Sequence, residues 1–268
     1  MINLHELSYK AIKEYVDSID VFDKSKKDEI DLLINELTND KRKNVSTLGN
    51  KISKDIKKLE DEINRVKVMY NFDKAFNKRY LAGVDEVGRG PLAGPIVSCA
   101  VILDLEALDD ELILYLNDSK KINEAKRIEL AEIIKEKAIS YNIAECSNEE
   151  IDKLGIAYCN NDIFIRAIKG LNIKPDIVLS DGYLVKGLGI ENKAVIKGDA
   201  KSASIAAASI LAKVYRDTLM KELHKKYDKY DFDSNVGYGA PKHLEGLKKY
   251  GPCSIHRMSF LKNILNRF

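Results

Sequence analysis

Leu81-Ala-Gly-Val-Asp85-Glu86-Val-Gly88-Arg89-Gly90-Pro-Leu-Ala-Gly94-Pro95, followed by the apolar run Ile96 to Leu103, is the stretch around which this chain is organised. An apolar segment ends in two adjacent carboxylates, turns on glycine and proline, and returns as a second apolar segment. That pattern predicts strand, functional turn, strand. Neighbours on a strand point to opposite faces, so Asp85 and Glu86 cannot both be ordinary solvent residues. The glycines let backbone come close to a ligand, and Arg89 between two of them is a planar cation suited to phosphate. Carboxylates beside an anion-binding turn suggest a metal bridging protein and phosphate.

Commoner phosphate loops do not fit. A dinucleotide fingerprint is G-x-G-x-x-G opening a helix, whereas here G-x-G-x-x-x-G opens a strand. A Walker loop needs a lysine after its last glycine, and none follows Gly94. On the residues alone, a Gly-Pro turn carrying two surface acids stays open as the plain alternative.

Working outward, the residues up to about 70 place apolar positions at helical spacing (Ile30, Leu33, Ile34, Leu37; then Ile52, Ile56, Leu59, Ile63, Val66) and contain no proline. A small helical module is expected. Its first half is acid-rich and its second base-rich, so the halves are expected to pair; the alternative lays the basic half along a nucleic-acid backbone. Beyond the hairpin, Asp104 to Asp118 is a leucine-rich acidic connection with room for a short helix. Asn123 is placed to cap a helix running to Ile139. Ala138 to Cys146 reads as a third strand, and Asn148 to Gly170 contains another helix, closed by Gly170. Pro175 to Gly182 repeats the design of the first strand, apolar and ending in an acid, Asp181. A short strand at Ala194 to Ile196 precedes Asp199. Lys201 to Lys225 then reads as a long helix whose start, Ser-Ala-Ser-Ile-Ala-Ala-Ala-Ser, lets its backbone sit close to a sheet. A helix from about Lys242 and a terminal helix complete the chain. Strands first and helices interleaved afterwards describe an α/β sheet.

With 268 residues, 45% hydrophobic and 32% charged, the chain has the composition of a soluble globular protein. No run approaches the roughly 18 apolar residues of a membrane span, and no signal-peptide layout opens the sequence, so a cytoplasmic protein without membrane contact is expected. Cys99, Cys146, Cys159 and Cys253 form no C-x-x-C, and the four histidines have no ligand spacing, which argues against soft-metal sites and disulfide frameworks. Net charge is only +2, which excludes a uniformly basic coat but not a patch. Basic residues crowd the C-terminal quarter, among them Lys221, Lys242, Lys248, Arg257, Lys262 and Arg267.

The motif D-E-x-G-R-G-P-L-A-G-P, as it stands from Asp85 to Pro95, resembles that of bacterial ribonuclease HII. Further matches follow in the family's order: Asp118-Ser-Lys-Lys, Leu179-Ser-Asp181-Gly182, Lys197-Gly-Asp199 through Lys213, Gly237-Tyr238-Gly239, His243-Leu, Tyr250-Gly-Pro and His256-Arg257. They cover the chain from about residue 80 onward. The resemblance implies an α/β, ribonuclease H-like mixed β-sheet flanked by helices. It comes with an all-helical N-terminal extension at 1–72, a catalytic domain at 73–220 and a helical C-terminal segment at 221–268.

It further implies an endoribonuclease that hydrolyses the RNA strand of RNA/DNA hybrids and cuts 5′ to single ribonucleotides in duplex DNA, acting as a monomer. Asp85, Glu86, Asp181 and Asp199 would be the catalytic metal ligands. Hard oxygen donors suit Mn²⁺ or Mg²⁺, and two ions about 4 Å apart would serve in-line phosphodiester hydrolysis. Without the resemblance, Asp181 reads as a turn acid and Asp199 as a helix cap. Gly88, Arg89 and Gly90 resemble a turn that detects the 2′-hydroxyl. Tyr238 resembles a tyrosine packed against the nucleotide at the RNA-to-DNA junction; on its own it is a turn tyrosine. Lys201, and beside it Lys120, Lys121 and Lys213, are candidate phosphate contacts. Two other readings remain: a different phosphotransferase on the same fold, and a hybrid-binding protein whose carboxylates hold a structural ion.

Overall fold

The two apolar runs flanking Gly88 to Pro95 pair as an antiparallel hairpin, β1 (Leu81–Val87) and β2 (Ile96–Ile102), with Asp85 opposite Cys99. The computed structural model describes residues 4–109 and 111–266, so Arg267 lies outside the described residues. The chain divides into two compact units, residues 1–65 and 66–268.

The first unit is helical, as its periodicity predicts: α1 (Tyr9–Asp17), α2 (Lys27–Thr38) and the leading part of α3 (Lys43–Lys74). Ile12, Val16, Leu37, Val45 and Ile52 form its core. Among its ion pairs, Lys10–Glu14, Asp55–Lys58 and Glu62–Arg65 each run along one helix. Such exposed near-neighbour pairs contribute little. Arg42 is different: it pairs with Asp40 and donates to the carbonyls of Leu4 and Leu7, at 2.9 and 2.6 Å, tying the start of the unit to its middle.

In the second unit β3 (Ser140–Cys146) joins β2 antiparallel, while β4 (Ile177–Asp181) and β5 (Asn192–Val195) extend the other side parallel to β1. The order is β3-β2-β1-β4-β5, so β1, which carries the acids, is central. Alternation along β1 divides the core. Leu81 belongs with α7 (Ala203–Lys226) on one face, and Ala82 and Val84 belong with α6 (Ile156–Lys169) on the other. A Cβ on Gly83 would lie 2.2 Å from the backbone of Ser204, so the small-residue start of α7 seats directly on the middle strand. Asp73, fully buried on α3, accepts from the Ser204 amide at 2.9 Å and fixes that helix start.

The structure refines three local expectations. Residues 104 to 118 form turns, with no helix among the described ones. The helix expected within 148–170 and closed by Gly170 is α6, and a shorter α5 (Asn148–Leu154) precedes it, set off by Gly155 at φ +84. Arg257, one of the basic residues that crowd the C-terminal quarter, is fully buried. Asn123 does cap α4 (Glu124–Lys137), accepting from the Lys126 amide. The chain ends in α8 (Phe232–Asn235), α9 (Pro241–Tyr250) and α10 (Met258–Leu265). No helix among the described residues is long and apolar enough to cross a membrane.

Candidate active site

Asp85 is the last buried residue of the central strand, on the α7 face, and only 7% of it is exposed. One carboxylate oxygen accepts from the Glu86 amide at 2.7 Å, and Ser209 of α7 hydrogen-bonds the same side chain. Ser209 also meets the buried Ser119 hydroxyl at 3.0 Å, so the Asp118-Ser119 motif is pinned behind the acid. Burial first, then the charges of Glu86 and Asp181, push the Asp85 carboxyl well above the usual range. Glu86 turns to the other face and is half-buried. Burial raises it to about 7; the Arg89 guanidinium opposes that rise, and Asp181 adds to it.

Asp181 ends β4, parallel to β1, and so comes out at the same sheet edge. It accepts from the Gly198 amide at 2.7 Å, which holds the one-turn 3-10 helix Gly198–Ala200 that carries Asp199. Asp199 is raised by burial, then by Asp181 and Asp118, against the pull of Lys120. Asp181 is thus the common neighbour: its charge bears on Asp85, on Glu86 and on Asp199. Four strand-end or turn acids separated by up to 114 positions share one electrostatic site. Among the described residues, however, no three His, Cys, Asp or Glu side chains are drawn together as a finished metal-binding group. Asp85 and Asp181 each accept from a backbone amide.

Asp118 and Lys120 were not among the principal site residues of the sequence reading, although the quoted Asp118-Ser-Lys-Lys motif marks them. Lys120 is the lysine whose charge reaches both Glu86 and Asp199. Lys201 follows the 3-10 turn with an exposed side chain. A cleft of about 660 Å³ lined by Lys74, Lys78, Arg79 and Glu106 includes none of the four acids.

Beside the acids lies the turn Gly88 to Pro95. Gly88 has φ +88, and a Cβ there would lie 2.1 Å from Arg216 Nε, so only glycine fits. Arg89 is exposed and lies over the Tyr183 ring, 4.8 Å from its centroid. Gly90 faces Tyr238: a Cβ on it would lie 3.7 Å from the tyrosine ring. Turn and tyrosine loop are bonded directly, Leu92 donating to the Gly237 carbonyl at 2.8 Å. The structure thus places the Gly88-Arg89-Gly90 turn beside Tyr238.

Behind Tyr238 stand residues to which the sequence assigns no role, although the quoted His243-Leu and His256-Arg257 motifs mark them. The Cys253 amide donates to His256 Nδ1 at 2.9 Å, which leaves the proton on Nε2. That proton is donated to His243 Nε2 at 2.9 Å, and His243 Nδ1 donates to the Tyr238 carbonyl at 2.7 Å. Both rings are buried against Tyr230 and Phe232. Thirteen positions apart in sequence, the two histidines give no spacing signal.

Comparison with known proteins follows this geometry. The family model described as Ribonuclease HII matches residues 82–263, and that described as Ribonuclease HII N-terminal domain matches 10–77. Ribonuclease HII of Clostridium beijerinckii is 62% identical over 264 residues, which is 98% of this chain and 98% of that protein. Ribonuclease HII of Clostridium perfringens (strain SM101) is also 62% identical, over 98% of this chain and 96% of its own length. The crystal structure of ribonuclease H2 from Pyrococcus horikoshii OT3 is similar at a TM-score of 0.60 and 30% identity, covering 70% of this chain and 98% of that one.

Proposed function

Because the chain belongs to the ribonuclease HII family and is a ribonuclease H-type endonuclease acting on nucleic acid, we propose that it cuts RNA/DNA hybrids and, at single ribonucleotides in duplex DNA, the bond 5′ to the ribonucleotide. The products are 3′-hydroxyl and 5′-phosphate ends. The observation that supports this site is the influence of one acid, Asp181, on the other three.

Asp85, Glu86, Asp181 and Asp199 fit a hard divalent ion, Mn²⁺ or Mg²⁺. Their donors are all carboxylate oxygens, and the strained charge state of Asp85 and Glu86 is one that a cation relieves. When bound, one or two such ions supply Lewis-acid activation of water and stabilisation of the leaving oxygen. The chain's own groups do the rest. Asp85, rigid on the central strand, sets the place of reaction, and Asp181 holds Asp199 at its turn through the Gly198 amide. Lys120 and Arg89 offset the acids' field where a phosphate enters. Gly88, Arg89 and Gly90 approach the ribose with backbone, and Tyr238 packs beside it. Lys201 and the C-terminal lysines contact phosphates at the periphery. In this reading 1–72 is a helical extension, 73–220 the catalytic domain and 221–268 its helical C-terminal segment.

Matched duplexes with zero, one or several ribonucleotides, each with and without divalent ion, test the proposal. Cleavage restricted to ribonucleotide-containing duplexes and abolished by EDTA is the expected result. Retention of the hybrid without cleavage in either condition would make the chain a binding module.

A further inference from the structure

Two arginines that the acids do not engage are buried completely: Arg216 on α7 and Arg257 just before α10. Their six side-chain hydrogen bonds all end on backbone carbonyls. Arg257 donates to Gly88 at 2.6 Å, Gly94 at 2.9 Å and Arg89 at 3.1 Å. Arg216 donates to Pro95 and Val236, both at 2.8 Å, and to Ala93 at 3.1 Å. A buried guanidinium is costly, and charge-assisted bonds in a planar fork are what offset that cost. Here the forks converge on one turn, and Val236 links it to the Tyr238 loop. Backbone closes the same seam: Arg257 N donates to Leu92 O at 2.8 Å and Gly94 N to Ile255 O at 2.9 Å.

The consequence follows from peptide geometry. No peptide of the described chain is cis, so each C=O points opposite to the N–H of the same peptide plane. With the carbonyls of Gly88 and Arg89 both drawn inward to Arg257, the amides of Arg89 and Gly90 point outward together, on the side where Gly90 is exposed beside Tyr238. Among the described residues neither amide has a hydrogen-bond partner. Two adjacent outward amides form a small donor pair for an oxygen.

We propose that Arg257, backed by Arg216, is a positioning residue for substrate choice. By gripping the carbonyls of Gly88 and Arg89 it aims the Arg89 and Gly90 amides at the ribose 2′-hydroxyl. This rests on reading the Gly88-Arg89-Gly90 turn as the ribose detector. Arg257 touches no substrate; it fixes the direction of groups that do. Lysine is no equivalent, because a flexible ammonium does not reproduce a planar fork on three carbonyls.

The test uses the full chain in EDTA, so that binding is read without cleavage. Dissociation constants are measured for an all-DNA duplex and for the same duplex with one ribonucleotide, and their ratio is the readout; a generally loosened protein would weaken both alike. Gly90→Ala examines the underlying reading, since its methyl meets nothing of the chain closer than 3.7 Å but occupies the gap before Tyr238. Arg257→Lys examines the clamp. Asp152→Ala examines it without hollowing the core: Asp152, half-buried, accepts from the amides of Met258 at 2.8 Å and Ser259 at 2.9 Å and so holds the backbone that carries Arg257.

Wild type should prefer the ribonucleotide. Gly90→Ala and Arg257→Lys should each lose at least about tenfold of that preference, the worth of one charge-assisted or buried hydrogen bond. Asp152→Ala should lose a smaller part. No preference in wild type, or a preference untouched by Gly90→Ala, overturns the detector reading and the proposal with it. Preference lost in Gly90→Ala but intact in Arg257→Lys overturns the clamp alone. If Arg257→Lys does not fold, an unchanged ratio in Asp152→Ala overturns the clamp.

Discussion

The two halves of the site are built on opposite electrostatic plans. At the strand ends, burial and neighbouring acids push Asp85, Glu86 and Asp199 up, and Asp181 bears on all three. At the neighbouring corner, Arg216 and Arg257 are positive groups drawn out of water and answered entirely by carbonyl dipoles, while two histidines stay neutral in a chain of bonds ending on Tyr238. The first region is left unbalanced, as a place for an incoming cation must be. The second is over-satisfied, as a rigid template must be. In the proposed reading, chemistry and selection occupy adjoining ground and ask for opposite things from burial.

The largest expected effect tests the first plan. Asp85→Asn should lower cleavage by at least about 1000-fold, roughly 4 kcal/mol of transition-state stabilisation. It should also raise the thermal midpoint, because a buried repelling charge is removed. Equal turnover by variant and wild type on a duplex with one ribonucleotide would remove Asp85 from the mechanism.

Acid should separate the regions next. His256 is pulled down to about 4, first by burial and then by His243, from an ordinary 6.5. Between those values the unfolded chain takes a proton that the folded one refuses, so stability present above 6.5 is lost as pH falls toward 4, by up to about 3 kcal/mol. Glu86 has the opposite sign: raised to about 7 from 4.5, it binds a proton in the folded state first, so its effect strengthens the fold as pH falls from 7 toward 4.5. Thermal midpoints measured from pH 7.5 to 5 should fall more steeply in Glu86→Gln than in wild type and less steeply in His256→Asn. The same slope in all three would break the contrast.

Tyr238→Ala should have the smallest effect and the most selective one. Loss of a ring packed on a nucleotide should slow cutting at a lone ribonucleotide about tenfold, with less effect on long hybrids. Equal slowing of both substrates would reduce Tyr238 to a structural residue.

How much of this was visible in the sequence differs between the regions in the same way. The acid end is local in its logic: apolar runs that stop at Asp85 and Asp181 declare strands ending in acids, and the small residues after Lys201 declare a helix that packs close to them. The fold follows from those runs. The corner is built from long-range pairings with no periodicity. Arg257 looks in sequence like another surface cation among lysines, because nothing in one residue type says which carbonyls wait for it, 163 to 169 positions away. Arg216 is hidden the same way in a helix rich in bases. His243 and His256 find each other only through the turn between α9 and α10. The split at Gly155 and the turns over 104 to 118 were missed for a simpler reason: local propensity allowed helix at both, and the connections decided otherwise.

The central claim is that four acids, far apart in the chain, serve one divalent-ion site, and Mn²⁺ titration reports it most directly. Free Mn²⁺ would be followed by its paramagnetic resonance signal for wild type, Asp85→Asn, Glu86→Gln, Asp181→Asn and Asp199→Asn, all confirmed as folded. Weakened Mn²⁺ binding in every one of the four variants is the expected result. Wild-type Mn²⁺ affinity in Asp181→Asn, the acid that bears on all the others, would contradict it.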